Sequence, residues 1–421
     1  MKASRFLLSK PKLFNSSKEV TILMGLFCVL LFVSLLSEFK HYQKLTQFND
    51  YTTQALVKRQ YKKENRWILS LQSTDGFSFY TTSSDELRPL EGYVLDVRLF
   101  TKDISFLSFL KGFYVPSVLL ARSVSKENRY KYMSELESLH EQPSSDVFKA
   151  LFFAGSINKD LRSKLSALGI NHLLAISGFH LGVLSFILFF ILKIIYKPIQ
   201  GRLFPYRHGH RDIAIAVLVI LFSYVYFLDF VPSLLRAFAM SAFAYVLYDR
   251  GIKILSFTSL FLVILFLMAL WPRLVFSLGF WFSVAGVYYI FLFLHHMKEL
   301  RAWQSFILLH VWVYLCMLPV VHIYFGTFSL YQLFSPLLTM LFIIFYPLEL
   351  LLHAIGEGNR LDFILVYLLD IELKSIEILL PLWSLFAYIF ISLLAIKHKF
   401  FFYLILVFTL FLLGYLLYGI T

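Results

Sequence analysis

Asn171-His-Leu-Leu-Ala-Ile-Ser-Gly-Phe-His-Leu-Gly182 opens an apolar run that continues to about Tyr196. About 20 consecutive apolar residues are long enough to cross a bilayer as a helix. This run carries His172, Ser177 and His180 at its head. Hydrocarbon supplies no water to satisfy polar groups, so side chains of this kind in a membrane helix require partners or a function.

The rest of the chain has the same character. Of 421 residues, 59% are hydrophobic and 19% aromatic, only 15% are charged, and the mean hydropathy is +0.71. A soluble domain with so much apolar surface aggregates, so composition implies an integral membrane protein. The apolar runs recur from Val20 to the end and are continuous, without the alternation of barrel strands. That pattern disfavours a β-barrel and predicts a polytopic α-helical membrane protein. Cys28 and Cys316 each lie inside an apolar run without CxxC spacing and read as buried thiols. The net charge of +13 invites a nucleic-acid reading, but cytoplasmic ends of membrane helices collect Lys and Arg, so the charge alone decides nothing.

Lys2, Arg5, Lys10, Lys12 and Lys18 precede the segment from Val20 to Leu36. The segment is long and no Ala-x-Ala-like site follows, so residues 1–37 read as a cytoplasmic N-terminus and a retained first span. Residues 38–102 read as a small β domain outside the membrane. Trp67 to Leu71 and Phe77 to Thr81 flank the hairpin dipeptide Asp75-Gly76, and Tyr93 to Leu99 alternates like a half-buried strand. Residues 103–150 read as an interfacial amphipathic helix, Ile104 to Leu120, and a polar connecting helix, Ser125 to His140.

Residues 151–421 read as a membrane domain. Its candidate spans are His172–Tyr196, Asp212–Asp229, Leu234–Tyr248, Leu255–Leu270, Phe276–Leu294, Trp303–Val321, Leu333–Leu352, Leu382–Ile396 and Phe400–Tyr418. With the first span this gives ten crossings, or eleven if the amphipathic Leu361–Leu380 also crosses. Placing the basic connections 297–301 and 397–399 on one side favours eleven.

Leu168-Gly-Ile-Asn-His-Leu-Leu-Ala-Ile-Ser-Gly-Phe-His-Leu-Gly182 closely resembles the signature of the ComEC-type competence proteins, inner-membrane channels for transforming DNA. Val231-Pro-Ser-Leu-Leu-Arg-Ala237 resembles the family's Pro-Ser-x-x-Arg-Ala element. Trp271-Pro272 followed by Ser277-Leu-Gly-Phe-Trp-Phe-Ser283 resembles its Pro…Gly-Phe-x-x-Ser element. Tyr324-Phe-Gly-Thr-Phe-Ser-Leu330 before Ser335-Pro336 resembles its Phe-Gly-x-x-Ser turn. The four matches come in the family's order. The resemblance implies an OB-like domain outside the membrane, which the β segments fit by position, although only one span is evident before them. Many members continue into a metallo-β-lactamase-like domain. This chain reaches Thr421 without one, so it reads as a short form and no nuclease role is carried over.

On a continuous helix Ser177 and His180 are i,i+3 neighbours, and Gly178 and Gly182 form a small-x-x-x-small pair for close helix approach. These polar groups read either as interhelical hydrogen-bond glue or as the lining of a water-filled path. Gly279 is a further candidate for helix packing, and Ser233 for the path. Arg236 reads as an interfacial anchor or as a phosphate contact, to which its planar fork is suited. Lys58, Arg59, Lys62, Lys63 and Arg66 form a basic run able to track a DNA backbone or to meet anionic lipid. Trp67, Phe77 and Phe79 nearby are available for stacking on bases, or fill the β core. His208-Gly-His-Arg-Asp212 has the spacing of a metallo-β-lactamase metal site. Ile213 follows it and the segment opens a membrane helix, so it reads as a polar loop and no metal site is expected.

The expected function, resting on the resemblance, is translocation of single-stranded DNA across the inner membrane, without catalysis or a cofactor. A periplasmic DNA receptor, membrane lipids, a cytoplasmic ATP-driven motor and a second copy of the chain are the expected partners. No Gly-x-x-x-x-Gly-Lys-Ser/Thr loop occurs in the sequence, so the motor is separate. Alternatives are an intramembrane hydrolase or lipid-modifying enzyme using Ser177 and His180, a small-solute transporter, or a membrane scaffold.

Overall fold

A computed structural model describes all residues except 1–16, 64, 65, 84–89, 103, 125–127, 175, 177, 229, 251–255 and 421. Contacts divide the chain into two compact units: Lys18–Asn158 with Leu265–Leu278, and Lys159–Ile264 with Gly279–Thr421.

In the first unit, helix α1 (Ser17–Thr46) includes the first apolar run and continues past it. Six strands follow: β1 (Asp50–Lys63), β2 (Arg66–Ser73), β3 (Ser78–Ser83), β4 (Tyr93–Phe100), then, after the short helix α2 (Phe106–Lys111), β5 (Phe113–Tyr114) and β6 (Ser117–Val124). Their order is β5-β3-β2-β1-β4-β6. The two outermost strands are successive pieces of one chain segment. Val115 N donates to Tyr80 O and Phe100 N to Pro116 O, so the segment bonds β3 on one side and β4 on the other and closes the sheet on itself. The long β1 serves both neighbours, with a register shift between Val57 and Arg59 that bends it.

Alternate residues turn inward to a core of Val57, Leu69, Leu71, Phe79, Val97 and Leu99, sealed by Phe109 of α2. Phe77 and Phe79 are 2% and 0% exposed, so they are core residues and present no face to a base.

The segment Ile104–Leu120 differs from the expected interfacial helix. Gly112, at φ +89°, terminates α2 after one and a half turns, and β5 and β6 then complete the sheet. Its apolar residues point both into the core and outward (Val118 47% and Leu120 55% exposed), and a strand apolar on both faces has no alternation to read. The β domain therefore extends to Val124, beyond the expected boundary at 102. Helices α3 (Asn128–Leu139) and α4 (Ser144–Phe153) complete the unit, tied by Arg129 Nη2 donating to Phe153 O at 2.6 Å.

The turn between β2 and β3 is fixed by Asp75, whose carboxylate accepts from Lys44 Nζ (2.6 Å), Tyr51 Oη (2.9 Å) and Thr53 Oγ1 (3.0 Å). The Lys44 hydrogen bond, followed by those from Tyr51 and Thr53, overcomes partial burial and lowers the carboxyl from 3.8 to about 2. A depressed acid stabilises the fold above its unfolded value, and that contribution disappears as pH falls through the folded one. The stability difference between wild type and Asp75→Asn, followed by acid titration of the purified protein, is therefore expected to shrink between pH 3.8 and about 2. A difference that is constant across that window sinks the assignment.

The second unit contains α5 (Lys159–Ala167), α6 (Asn171–Leu174), α7 (Gly178–Leu203), α8 (Gly209–Phe227), α9 (Pro232–Asp249), α11 (Leu278–His296), α12 (Ala302–His322), α13 (Ser335–Ala354), α14 (Asp362–Leu369), α15 (Leu382–Ala395) and α16 (Lys399–Tyr418), while α10 (Phe257–Leu270) runs across the unit boundary. Two short strands, β7 (Thr327–Phe328) and β8 (Ile376–Glu377), pair antiparallel. Among the described residues, seven helices are long and apolar enough to cross a membrane, and α10 and α15 are shorter, with 14 residues each. The protein is thus a polytopic membrane protein. α7 packs on α8 and α9. Helices α11, α12, α15 and α16 share a core in which Trp312 stacks on Phe402 at 4.3 Å and Tyr388 Oη donates to Cys316 O.

Candidate functional site

The signature is not one continuous helix. α5 ends in a Schellman-type cap: Gly169 adopts φ +70°, Ile170 N donates to Leu165 O and Gly169 N to Ser166 O. The short α6 carries His172, and α7 begins at Gly178, four residues after α6 ends. The expected span His172–Tyr196 is therefore corrected to Gly178–Leu203. His172 lies on α6 and does not share a helix with His180. Ser177 lies outside the described residues.

The later Phe-Gly-x-x-Ser element clamps this turn. Gln332 Nε2 donates to Ser166 O (2.9 Å) and to Thr327 O (3.0 Å), and Ser335 Oγ donates to Gly169 O (2.9 Å). The Ser166 and Gly169 carbonyls at the end of α5 thus accept hydrogen bonds from a segment some 166 residues away. A Cβ on Gly169 would stand 3.1 Å from Ser335 Cβ. Gly326 lies against the Ile378 backbone, where a Cβ would meet it at 3.1–3.2 Å, so this glycine permits the β7–β8 approach. His322 Nδ1 lies 3.1 Å from Ile378 O beside the same junction.

His180 is 2% exposed, and its ring meets Tyr346 edge-on at 4.7 Å and Phe342 at 5.5 Å, both on α13. It also hydrogen-bonds the Leu173 backbone of α6. It therefore joins α6, α7 and α13. His172 is exposed, with Nε2 3.4 Å from Thr339 Oγ1 of α13.

The Pro-Ser-x-x-Arg-Ala element meets the same place. Pro232 occupies the first turn of α9, a position that needs no N–H. A Cβ on Gly178 would touch Ala237 Cβ at 3.7 Å, which sets the start of α7 against α9 beside Arg236. Ser233 is half-buried. Arg236 is 6% exposed, and its Nε has no hydrogen-bond partner. No carboxylate lies within salt-bridge distance of it among the described residues. Arg236 is thus a buried guanidinium on α9.

Gly178 thus lies at a close helix approach, whereas the other two glycines do not. Gly182 has nothing within 4 Å of a Cβ position, and Gly279, at the start of α11, is exposed. His208, His210 and Asp212 do not form a cluster with free ligands. Both Asp212 oxygens accept from Arg207 at 2.8 Å, and Tyr196 Oη donates to Oδ2 at 2.7 Å.

One buried charge escaped the sequence reading. Glu349 on α13 is 0% exposed. His353 Nδ1 is 3.3 Å from its Oε2 but is directed to the Glu349 carbonyl at 2.8 Å, so neither carboxylate oxygen has a hydrogen bond. The signal is a lone acid inside the run Leu333–Leu352, with a histidine at i+4 just past its end.

These three motifs, distant in sequence, converge on one junction of helices α5, α6, α7, α9 and α13. The sequence matches the family model described as Competence protein over residues 153–419. The chain belongs to the Competence protein family. The match covers well over half of the chain and contains the whole junction. No curated protein and no solved structure matches. Within this competence-family region the motifs are fold determinants first. Gly169, Gln332 and Ser335 shape the turn, Gly178 admits α9, and Arg236 is a buried cation with no carboxylate partner among the described residues.

Proposed function

We propose that this protein is an inner-membrane channel that passes single-stranded DNA to the cytoplasm during natural transformation. Family membership supports a role in DNA uptake. The observation that carries the finer reading is Arg236: a buried guanidinium with no carboxylate partner among the described residues is a site awaiting an anion. Phosphate meets the planar fork well. His172, His180 and Ser233 lie on the helices of this junction, and we assign them, with Ser177 of the same motif, to the proposed path.

Topology supports the eleven-crossing version. His296 Nε2 lies 2.7 Å from Ala395 O, which puts connections 297–301 and 397–399 at one end of their bundle. The β7–β8 pair follows the opposite end of α12, and we read the chain after α13 as returning through α14 and an extended segment. The closed sheet, with its long shared β1 and parallel β3–β5 pairing, has the strand order of an OB-like barrel, and we assign it to the outer face, where it receives DNA from a periplasmic receptor. A cytoplasmic ATP-driven motor supplies the pull, anionic lipid surrounds the helices, and a second copy of the chain is an allowed neighbour.

The test is a clean deletion assayed for cytoplasmic arrival of labelled strands. Entry at the normal rate ends the channel reading. Conduction requires no covalent step, so Ser177→Ala is expected to retain at least half of wild-type uptake at normal protein level, scored by transformant frequency and immunoblot. Complete loss with normal folding revives the hydrolase reading.

A further inference from the structure

The outer surface of the β domain carries an ordered row that the basic run alone did not reveal. Cross-strand partners share a face of a sheet, so the register fixes which side chains stand together. Arg59 of β1 pairs with Ser70 of β2, Ser70 with Tyr80 of β3, and Tyr80 with Tyr114 of β5. The adjacent row runs from Tyr61 through Ile68 to Thr82, whose Oγ1 lies 2.8 Å from Tyr114 Oη. Tyr61, Tyr80 and Tyr114 are 46%, 43% and 54% exposed, while the inward residues between them form the core.

Three exposed tyrosines on one face are not a packing requirement. Nor are they a plain apolar patch, because cations accompany them. Arg59 and Arg66 are exposed, and alternation along β1 and β2 puts both on this face, whereas Lys62 turns to the other side and sits 5.8 Å from the Trp67 ring. At the far end, Tyr114 borders a shallow groove of about 320 Å³ lined also by Lys102 and Lys111. Gly112, beside the Tyr80 ring, keeps the surface low, since a Cβ there would reach the ring at 3.8 Å. The row crosses three inter-strand steps, roughly 14 Å, which suits a few nucleotides.

We infer that Tyr61, Tyr80 and Tyr114, flanked by Arg59 and Arg66, form a stacking platform for the unpaired bases of single-stranded DNA. A duplex hides its base faces and offers such rings nothing to stack on, while the basic ends hold phosphates of either form. The aromatic row, and not the charge, therefore discriminates strand state. The inference rests on the reading of this domain as the DNA-receiving part.

Full-length protein in detergent is titrated with a fluorescent oligodeoxythymidylate and with a duplex of equal length. Tyr80→Ser and Tyr114→Ser are each expected to weaken single-strand binding roughly tenfold, from the usual worth of one stacked base. Duplex binding and the salt slope are expected to stay unchanged, and Tyr80→Phe to bind as wild type. Arg59→Ala is expected to lower the salt slope by about 0.7. If wild type binds the single strand and the double serine variant binds it equally well, the platform is wrong and the receiving role survives. Equal losses for duplex and single strand also overturn the platform. If wild type binds no single-stranded DNA, both readings fall.

Discussion

Arg236→Ala is expected to reduce DNA entry at least tenfold while leaving the protein at its normal level in the membrane. Arg236 is 6% exposed on α9, with Nε unbonded, and the preceding turn begins at Pro232. A buried charge with no carboxylate partner, as Arg236 is among the described residues, opposes folding, since even lenient insertion scales assign an arginine at mid-membrane about 2.5–3.5 kcal/mol. Removing it therefore costs the fold little or nothing. A charged hydrogen bond to a phosphate contributes about 1.5–3 kcal/mol, which corresponds to a tenfold to hundredfold loss of occupancy. Arg236→Lys keeps the charge but loses the bidentate fork, so intermediate uptake is expected. Labelled DNA in the cytoplasm and immunoblotted membranes provide the two readouts. Normal uptake by the alanine variant makes Arg236 a packing residue.

Gly169→Ala is expected to act the opposite way, through the fold. The residue sits at φ +70° in the cap of α5, a conformation that costs an L-residue about 1–2 kcal/mol. The new Cβ would stand 3.1 Å from Ser335 Cβ and 3.3 Å from Gln332 Cγ. Neither neighbour is free to move, because both are held by hydrogen bonds to Ser166 and Gly169 carbonyls. The expected result is a lower melting temperature in detergent, less protein in the membrane and loss of uptake in proportion. Gly182→Ala supplies the internal control: it is in the same signature but nothing lies within 4 Å of its Cβ position, so it is expected to be neutral. Equal behaviour of the two variants contradicts the clamp.

The contrast between these two residues shows what the sequence made legible. Helices α8, α9, α11, α12, α13, α15 and α16 fall where apolar runs predict them, because a membrane helix is specified by its own composition. The break between Leu174 and Gly178 was not legible. Nothing local forbids a helix through that segment, and the clamp on the preceding turn comes from Gln332 and Ser335. Strand β6 was hidden for a related reason: its outward Val118 and Leu120 are apolar, so no period marked it. Arg236 and Glu349 were visible as charges in apolar runs, but only the fold decides whether a partner arrives. The basic run from Lys58 to Arg66 looked uniform, and the bend in β1 with the β1–β2 register divides it between two faces.

The closure of the β domain has one more consequence. Because the segment Phe113–Val124 fastens to β3 at its beginning and to β4 along the rest, the closure stops at Pro116, and among the described residues β6 has a strand partner on one side only. A neighbouring protein can therefore enlist this domain by laying a strand along the free side of β6, and copies of the domain can meet edge to edge there as they crowd at the membrane surface.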